Sequence, residues 1–283
     1  MAPQVVHEID SLRARCAAWR KGGDRIALVP TMGALHAGHL RLVTEALRLC
    51  PRVVVSIFVN PAQFGPGEDF ARYPRSLEDD VAKLAAVNAD LVWAPDEKVM
   101  YPEGFATKIV HSGVAIGLES DIRPHFFSGV ATVCCKLFTQ VAPDIAVFGE
   151  KDFQQLLVVG QMARDLNLPL AVVGIPTVRE PDGLAMSSRN RYLDPGQRRA
   201  AVHIYKAIQA VAATVAAGGD GTAACREATK YLEMAGFKVD YVALRDASTL
   251  AEPAPGTKRP LRVLTAAWLG KTRLIDNMAV PEV

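Results

Sequence analysis

The sequence predicts an α/β protein, a parallel sheet covered on both faces, followed by a smaller α+β domain. Three observations carry this. Short runs of continuous Val, Ile and Leu alternate with helix-length amphipathic stretches over the first 175 residues, the pattern of βα units. After Arg179 the order changes to helices and then alternating strands, which reads as α+β. The chain has 283 residues, half of them hydrophobic and 22% charged, enough apolar content for a core and enough length for one large or two modest domains.

In chain order, RIALVP (25–30) is the first clear strand, followed by the Gly-containing segment TMGALHAGH and the helical stretch LRLVTEALRLC. RVVVSIFVN (52–60) is a second buried strand, ending in the loop PAQFGPGEDFARYPR. SLEDDVAKLAAVN has helical periodicity and ADLVWAP (89–95) reads as a strand. TKIVHS (107–112) is short and β-rich enough to be another. SGVATVCCKLFTQV is a helix, DIAVFGEKD a strand and turn, FQQLLVVGQMARDLN a helix, and LAVVGIPTV the last strand of this part. Beyond the turn EPDG and the loop AMSSRNRYLDPGQ come two Ala-rich helices separated by AAGGDGT. Three strands, KVDYVALRDA, RPLRVLTAAWLG and TRLIDNMAV, end the chain. The expected domains are 1–178 and 179–283.

Charge and cysteine content exclude several classes. Lys and Arg number 32 against 30 Asp and Glu, a net charge of +2, far from the basic footprint of a nucleic-acid binder. No apolar run is long enough to cross a bilayer. The N-terminus MAPQVVHEIDSLRARC carries acids and no apolar h-region, unlike a signal peptide. Five scattered cysteines, odd in number and without CxxC spacing, point to reduced packing residues in a cytoplasmic protein and to no zinc site.

The chemistry gathers at predicted strand ends, where ligands bind in open parallel sheets. His36 and His39 form an HxGH motif around Gly38. A spacing of three places both imidazoles on one face of a first helical turn, where free N–H groups and the helix dipole attract phosphate. The bland reading is a histidine pair at a loop–helix junction. MSSRN (186–190) follows the sheet; two hydroxyls and a guanidinium suit phosphate, although alone they would pass for a solvated loop. FGEKDFQQ (148–155) ends another strand, with Lys151 as a compact cation and Gln154 and Gln155 as polar readers. In isolation they are a surface lysine and a solvated helix face. FVNPAQF (58–64) sets Asn60 and Gln63 at the same edge, and carboxamides read hydroxyl and carboxylate groups well. No Ser–His–Asp or Cys–His arrangement is evident.

HxGH early and Ser-Ser-Arg late is the arrangement of class I adenylate-forming and nucleotidyl-transferring enzymes, in which the two motifs grip the ATP triphosphate from opposite sides. With VPTMGALHAGH, SIFVNPAQF, DFARYPR, FGEKDFQQL, DGLAMSSRNRYL and GKTRLIDN in order, the chain resembles the pantothenate synthetase (pantoate–β-alanine ligase) family through almost its whole length. The resemblance implies a Rossmann-like sheet of the HxGH nucleotidyltransferase type with a lid-like C-terminal domain, a cytoplasmic homodimer, and ATP with Mg²⁺ held chiefly by the triphosphate and water. It implies ATP-dependent joining of (R)-pantoate to β-alanine through a pantoyl adenylate, giving pantothenate, AMP and pyrophosphate.

Carried over by motif, the ATP contacts are Met32, Gly33, Ala34, Leu35, His36, Ala37, Gly38, His39, Gly149, Glu150, Lys151, Asp152, Val178, Met186, Ser187, Ser188 and Arg189. Gln63 and Gln155 are pantoate ligands, with Gln63 also near β-alanine, and Asn60 is expected with them as a substrate-binding residue. His39 matches the family's proton donor, a role that simple donation to phosphate would mimic; His36, Lys151 and Arg189 complete the catalytic set. One departure stands out. Where the family reads EG-x-x-RPGHF-x-GV, this chain reads ESDIRPHFFSGV (119–130), with His125 in the usual Gly position and Phe126 in the usual His position. The alternatives are an enzyme that stops at an adenylylated product, which is typically shorter and lacks FVNPAQF, a tRNA synthetase, disfavoured by size and charge, and a non-catalytic nucleotide binder, disfavoured by the intact cations and histidines.

Overall fold

A computed structural model of the protein describes residues 2–254 and 256–281. Two compact units are present: Met1–Glu150 with Gln155–Pro176, and Lys151–Gln154 with Thr177–Val283.

The first unit holds a six-stranded sheet in the order β1-β4-β3-β2-β5-β6, every pairing parallel. The strands are β1 (Gln4–Val6), β2 (Ile26–Thr31), β3 (Arg52–Ile57), β4 (Leu91–Trp93), β5 (Ile145–Gly149) and β6 (Ala171–Ile175). Its helices are α1 (Ile9–Lys21), α2 (Ala37–Leu49), α3 (Leu77–Ala86), the short α4 (Glu97–Met100) and α5 (Glu119–Ile122), α6 (Phe126–Val141) and α7 (Phe153–Asp165), the last beginning in the segment that groups with the second unit. Alternation along the strands divides the core. Ile26, Leu28, Val54, Leu91, Trp93 and Phe148 pack with α1, α6 and α7, while Ala27, Val29, Val53, Val55, Val92 and Val147 pack with α2 and α3. Both faces are covered, which is why the strands read as unbroken apolar runs. The expected Rossmann-like sheet is present.

Chain order reverses across β2 and β5, which are neighbours through Ala27↔Ile145 and Leu28↔Ala146. The segments leaving their carboxyl ends therefore emerge side by side at a topological switch point. They are Met32–His36 and Glu150.

Among the strands there are two differences from the sequence expectation. Residues 107–112 form no strand; the Ile109 N–H, which a strand would pair, instead donates to Thr132 Oγ1 of α6 at 3.0 Å. Strand β1 has no signature in the sequence. It is three residues long and exists by pairing Val5 with Val92, a tertiary event with no periodicity to announce it.

The second unit packs α8 (Pro195–Ala201), α9 (His203–Ala216) and α10 (Gly221–Met234) with an antiparallel sheet β7-β8-β9 (Lys238–Asp246, Leu261–Leu269, Thr272–Ala279). Ile204, Ile208, Val211, Leu232, Val263 and Leu274 form its core. Asp194 and Gln197 cap α8 reciprocally, with Pro195 at its first turn.

Candidate active site

The segment after β2 is a built loop. Thr31 Oγ1 donates to the Ser56 carbonyl at 2.7 Å and accepts the Gly33 N–H at 3.1 Å. Gly33 and Ala34 then take left-handed φ values of 79° and 52°, which glycine tolerates and alanine adopts at a cost of about 1–2 kcal/mol. That conformation is held by Asp80 of α3, fully buried. Its Oδ2 accepts the Ala34 N–H at 2.7 Å and its Oδ1 the Leu35 N–H at 2.8 Å. Lys83, one turn on, donates to the Leu35 carbonyl at 3.0 Å. The side chains of Ala34 and Leu35 are buried and their amides are taken. These two residues frame the loop.

His36 caps α2. Its Nδ1 accepts the Gly38 N–H at 3.1 Å, and the His36 N–H donates to His39 Nδ1 at 3.4 Å, a capping box built from two histidines. The ring centroids are 4.1 Å apart. Because each Nδ1 is an acceptor, the proton of each neutral imidazole resides on Nε2. Both rings thus carry an N–H donor at the N-terminus of a 13-residue helix, the pole that favours anions.

The segment after β3 places Asn60 and Gln63 in contact. Asn60 Nδ2 donates to Gln63 Oε1 at 3.0 Å, and Gln63 Nε2 donates to Met32 Sδ at 3.2 Å, so the 3₁₀ turn Pro61–Gln63 touches the loop that bears the histidines. Arg123 supports it from behind. Its guanidinium donates to the Gln63 carbonyl at 3.0 Å and grips Glu68 at 2.6 and 2.8 Å. Phe126, at the position where the resemblance leads one to expect histidine, is buried under that guanidinium at 3.9 Å from ring centroid to Arg123 Cζ. His125 is the residue before α6, with Nε2 3.9 Å from Glu68 Oε1. The departure therefore has a packing role: an aromatic face backs the arginine that positions Gln63.

After β5, Glu150 to Asp152 form a 3₁₀ turn leading into α7, whose first turn carries Gln155. Lys151 Nζ lies 3.9 Å from Asp152 Oδ2. In the second unit the Lys151 carbonyl accepts from Asn277 Nδ2 at 2.8 Å, which ties the cation's backbone to β9. Arg179 binds the buried Asp276 carboxylate through two bonds of 2.6 and 3.0 Å and donates to the Gly183 carbonyl at 3.0 Å. Burial pushes the Asp276 carboxyl up, against the pull of the Arg179 guanidinium. This hub shapes the following turn, where Met186 N–H donates to the Val178 carbonyl at 3.0 Å and so joins two of the expected nucleotide contacts. Ser187 Oγ then accepts the Arg189 N–H at 3.2 Å and starts the 3₁₀ turn Ser188–Tyr192.

The cysteines offer no nucleophile. All five are unpaired thiols, and burial is the leading cause raising each, Cys134 to about 12, so thiolate is scarce at neutral pH. Among the described residues no group of three or more His, Cys, Asp or Glu side chains could hold a metal ion, and no helix is long and apolar enough to cross a membrane.

Sequence reasoning missed Asp80, Arg123, Asn277 and Tyr101, whose hydroxyl donates to Asn60 Oδ1 at 2.7 Å. Asp80 looks like an ordinary acid in a helix's first turn, and only its burial distinguishes it from Asp79.

The family model described as pantoate–β-alanine ligase matches residues 4–279. The chain belongs to that family. Pantothenate synthetase from Bradyrhizobium sp. strain BTAi1 is 57% identical over 274 residues, covering 96% of this chain and 94% of that protein. The enzyme from Paramagnetospirillum magneticum is 54% identical, covering 99% and 98%. Among solved structures, pantothenate synthetase from Thermus thermophilus superposes with a TM-score of 0.92 at 46% identity, covering 98% of this chain and 99% of that one. Pantoate–β-alanine ligase from Francisella tularensis, complexed with β-γ ATP and β-alanine, gives 0.83 at 33% identity, with 98% of each chain covered.

Proposed function

We propose that the protein joins (R)-pantoate to β-alanine with consumption of ATP. The supporting observation is family membership over residues 4–279 together with an intact histidine loop whose two Nε2–H donors sit at a helix N-terminus. In the first half-reaction a pantoate carboxylate oxygen attacks the α-phosphorus of ATP, and the bond to the bridging oxygen of the β-phosphate breaks. Pantoyl adenylate and pyrophosphate result. In the second, the amine of β-alanine attacks the acyl carbon, AMP leaves with the electron pair of the acyl–oxygen bond, and the nitrogen loses its proton. Neither step needs a protein nucleophile. The task is to align two anions and offset their repulsion.

In this reading His36 and His39 donate to phosphate oxygens, and Lys151 and Arg189 stabilise the charge that builds as pyrophosphate departs. Met32 to His39, Gly149 to Asp152, Val178 and Met186 to Arg189 form the nucleotide-contacting set, in which Ala34 and Leu35 serve as frame. Gln63 and Gln155 take pantoate. Mg²⁺ enters as the ATP complex, carried by the triphosphate and water. Residues 1–178 form the ATP- and pantoate-binding domain and 179–283 the lid-like one, and the enzyme works as a cytoplasmic homodimer.

The test is isotope exchange between pyrophosphate and ATP in the presence of pantoate alone, which isolates adenylate formation. Exchange that depends on pantoate, and AMP release at steady state only when β-alanine is also present, are expected. Release of ADP, or AMP formed without pantoate, would overturn the mechanism.

A further inference from the structure

Asn60 is 1% exposed, and its carboxamide is saturated within the fold. Oδ1 accepts from the Tyr101 hydroxyl at 2.7 Å and from the Ala62 N–H at 3.3 Å. Nδ2 donates to Gln63 Oε1 at 3.0 Å and to the Gly129 carbonyl at 3.2 Å. A primary amide has two donor hydrogens and two acceptor lone pairs, and these four contacts use them all. Nothing is left over to meet a substrate.

The contacts also have a direction. The Ala62 N–H can only donate and the Gly129 carbonyl can only accept, so Asn60 has one sense and the Tyr101 hydroxyl must donate to it. Burial raises the Tyr101 hydroxyl above its ordinary range, which keeps its proton in place. Gln63 takes its own sense from Asn60. Its Oε1 faces Nδ2, and its NH₂ is turned the other way, onto Met32 Sδ at 3.2 Å. A thioether is a weak acceptor, readily displaced by an oxygen.

We propose that Tyr101 and Asn60 are positioning residues that hold the Gln63 amide with its NH₂, rather than its carbonyl, presented to the acid substrate. This rests on the reading of Gln63 as a pantoate ligand. A substrate carboxylate or hydroxyl oxygen needs a donor; the reversed amide would set carbonyl oxygen against oxygen. Fixing the sense beforehand removes a rotation that binding would otherwise have to restrict. Gly129 makes the relay possible. A Cβ there would lie 2.2 Å from the Ala62 carbonyl oxygen, so only glycine lets α6 approach the turn closely enough for its carbonyl to accept from Asn60.

The experiment is steady-state kinetics of Tyr101→Phe, Asn60→Asp and Gln63→Ala, with MgATP, pantoate and β-alanine varied in turn and thermal melting recorded for each variant. Tyr101→Phe removes one hydrogen bond and is expected to raise the pantoate KM about fivefold, with the ATP KM within about twofold of wild type. In Asn60→Asp an ionised carboxylate cannot donate to Gln63 Oε1, so the glutamine reverses. The pantoate KM is expected to rise about a hundredfold, and this defect relative to wild type should shrink as the pH falls and the new acid protonates. An unchanged pantoate KM in both variants, with a raised one in Gln63→Ala, would overturn the relay while leaving Gln63 as a ligand. An equal loss in the ATP and pantoate KM would also overturn it, as general damage to the site. An unchanged pantoate KM in Gln63→Ala would remove the ligand reading and the relay with it.

Discussion

Asp80 grips the backbone of Ala34: Oδ2 accepts the Ala34 N–H at 2.7 Å while Oδ1 accepts that of Leu35 at 2.8 Å. A buried carboxylate on one helix thus holds a left-handed alanine on the loop that enters another. Charge-assisted bonds of this kind are worth about 1.5–3 kcal/mol each, enough to offset the conformational cost of φ 52° at Ala34. The histidine pair follows directly in the chain, so its placement depends on this clamp.

Replacing Asp80 with Asn should therefore damage catalysis more than folding. The amide keeps one acceptor and turns an NH₂ toward a backbone N–H, so the loop loses one clamp. Pantoate-dependent pyrophosphate–ATP exchange is expected to slow by about ten- to a hundredfold, with melting only a few degrees lower. Undiminished exchange in Asp80→Asn would show that the loop holds its shape without the carboxylate.

The histidine and lysine roles separate by substitution. His39→Ala and Lys151→Ala should each slow adenylate formation by about 10²–10⁴-fold, with circular dichroism melts close to wild type. His39→Gln retains an N–H donor and cannot act as an acid. If His39 serves by donating to phosphate, the glutamine variant should recover a substantial part of the loss; if it transfers a proton, recovery will be absent. Near-normal turnover in either alanine variant would refute that residue's role.

Gly129 is a sterically restricted helical position near the site. Glycine within a helix costs about 1 kcal/mol relative to alanine, yet Gly129→Ala is expected to destabilise, because its Cβ would lie 2.2 Å from the Ala62 carbonyl oxygen. A melt lowered by about 5 °C or more and a raised pantoate KM are the expected outcomes. Alanine at 129 with a higher melting temperature would contradict the packing described for α6.

Asp246 provides a pH-dependent element in the C-terminal unit. The Ser248 hydroxyl, followed by the Ser248 and Thr249 N–H groups and the Thr249 hydroxyl, holds its carboxyl well below the usual carboxylate range. A depressed folded-state value stabilises above the unfolded value of about 4 and loses that contribution as the pH falls below it. Asp246→Asn keeps Oδ1 as an acceptor and removes the charge. Its melt should lie below wild type at pH 7, with the gap narrowing progressively as the pH falls from about 4 toward 2. A constant gap across that range would mean the charge contributes nothing.

The sheet was legible in the sequence because its strands are buried on both faces. β2, β3 and β5 are continuous apolar runs, and burial on two sides is what writes such runs. The C-terminal strands were read from alternating polar and apolar residues, a pattern that the burial of β9 partly follows and that of β8, buried continuously from Arg262 to Ala267, does not. β1 was not, since three residues carry no period, and 107–112 misled because a β-rich hexapeptide found its hydrogen bond on Thr132 instead of a neighbouring strand.

The site divides in the same way. His36, His39, Lys151, Gln63 and Arg189 could be named from motifs because chemistry demands particular residue types at strand ends, and strand ends are readable. What holds them could not. Asp80, Tyr101, Arg123 and Asn277 lie 41 to 126 residues from the groups they bond. Each looks ordinary where it stands in the chain: a helix acid, a loop tyrosine, an arginine before proline, an asparagine in an edge strand. By itself the sequence supplied the residues proposed to meet the substrates. The tertiary structure alone decided the sense of the Asn60 and Gln63 amides, the tautomers of His36 and His39 and the backbone shape of the loop before them, because hydrogen-bond direction is set by partners that meet only when the chain has folded.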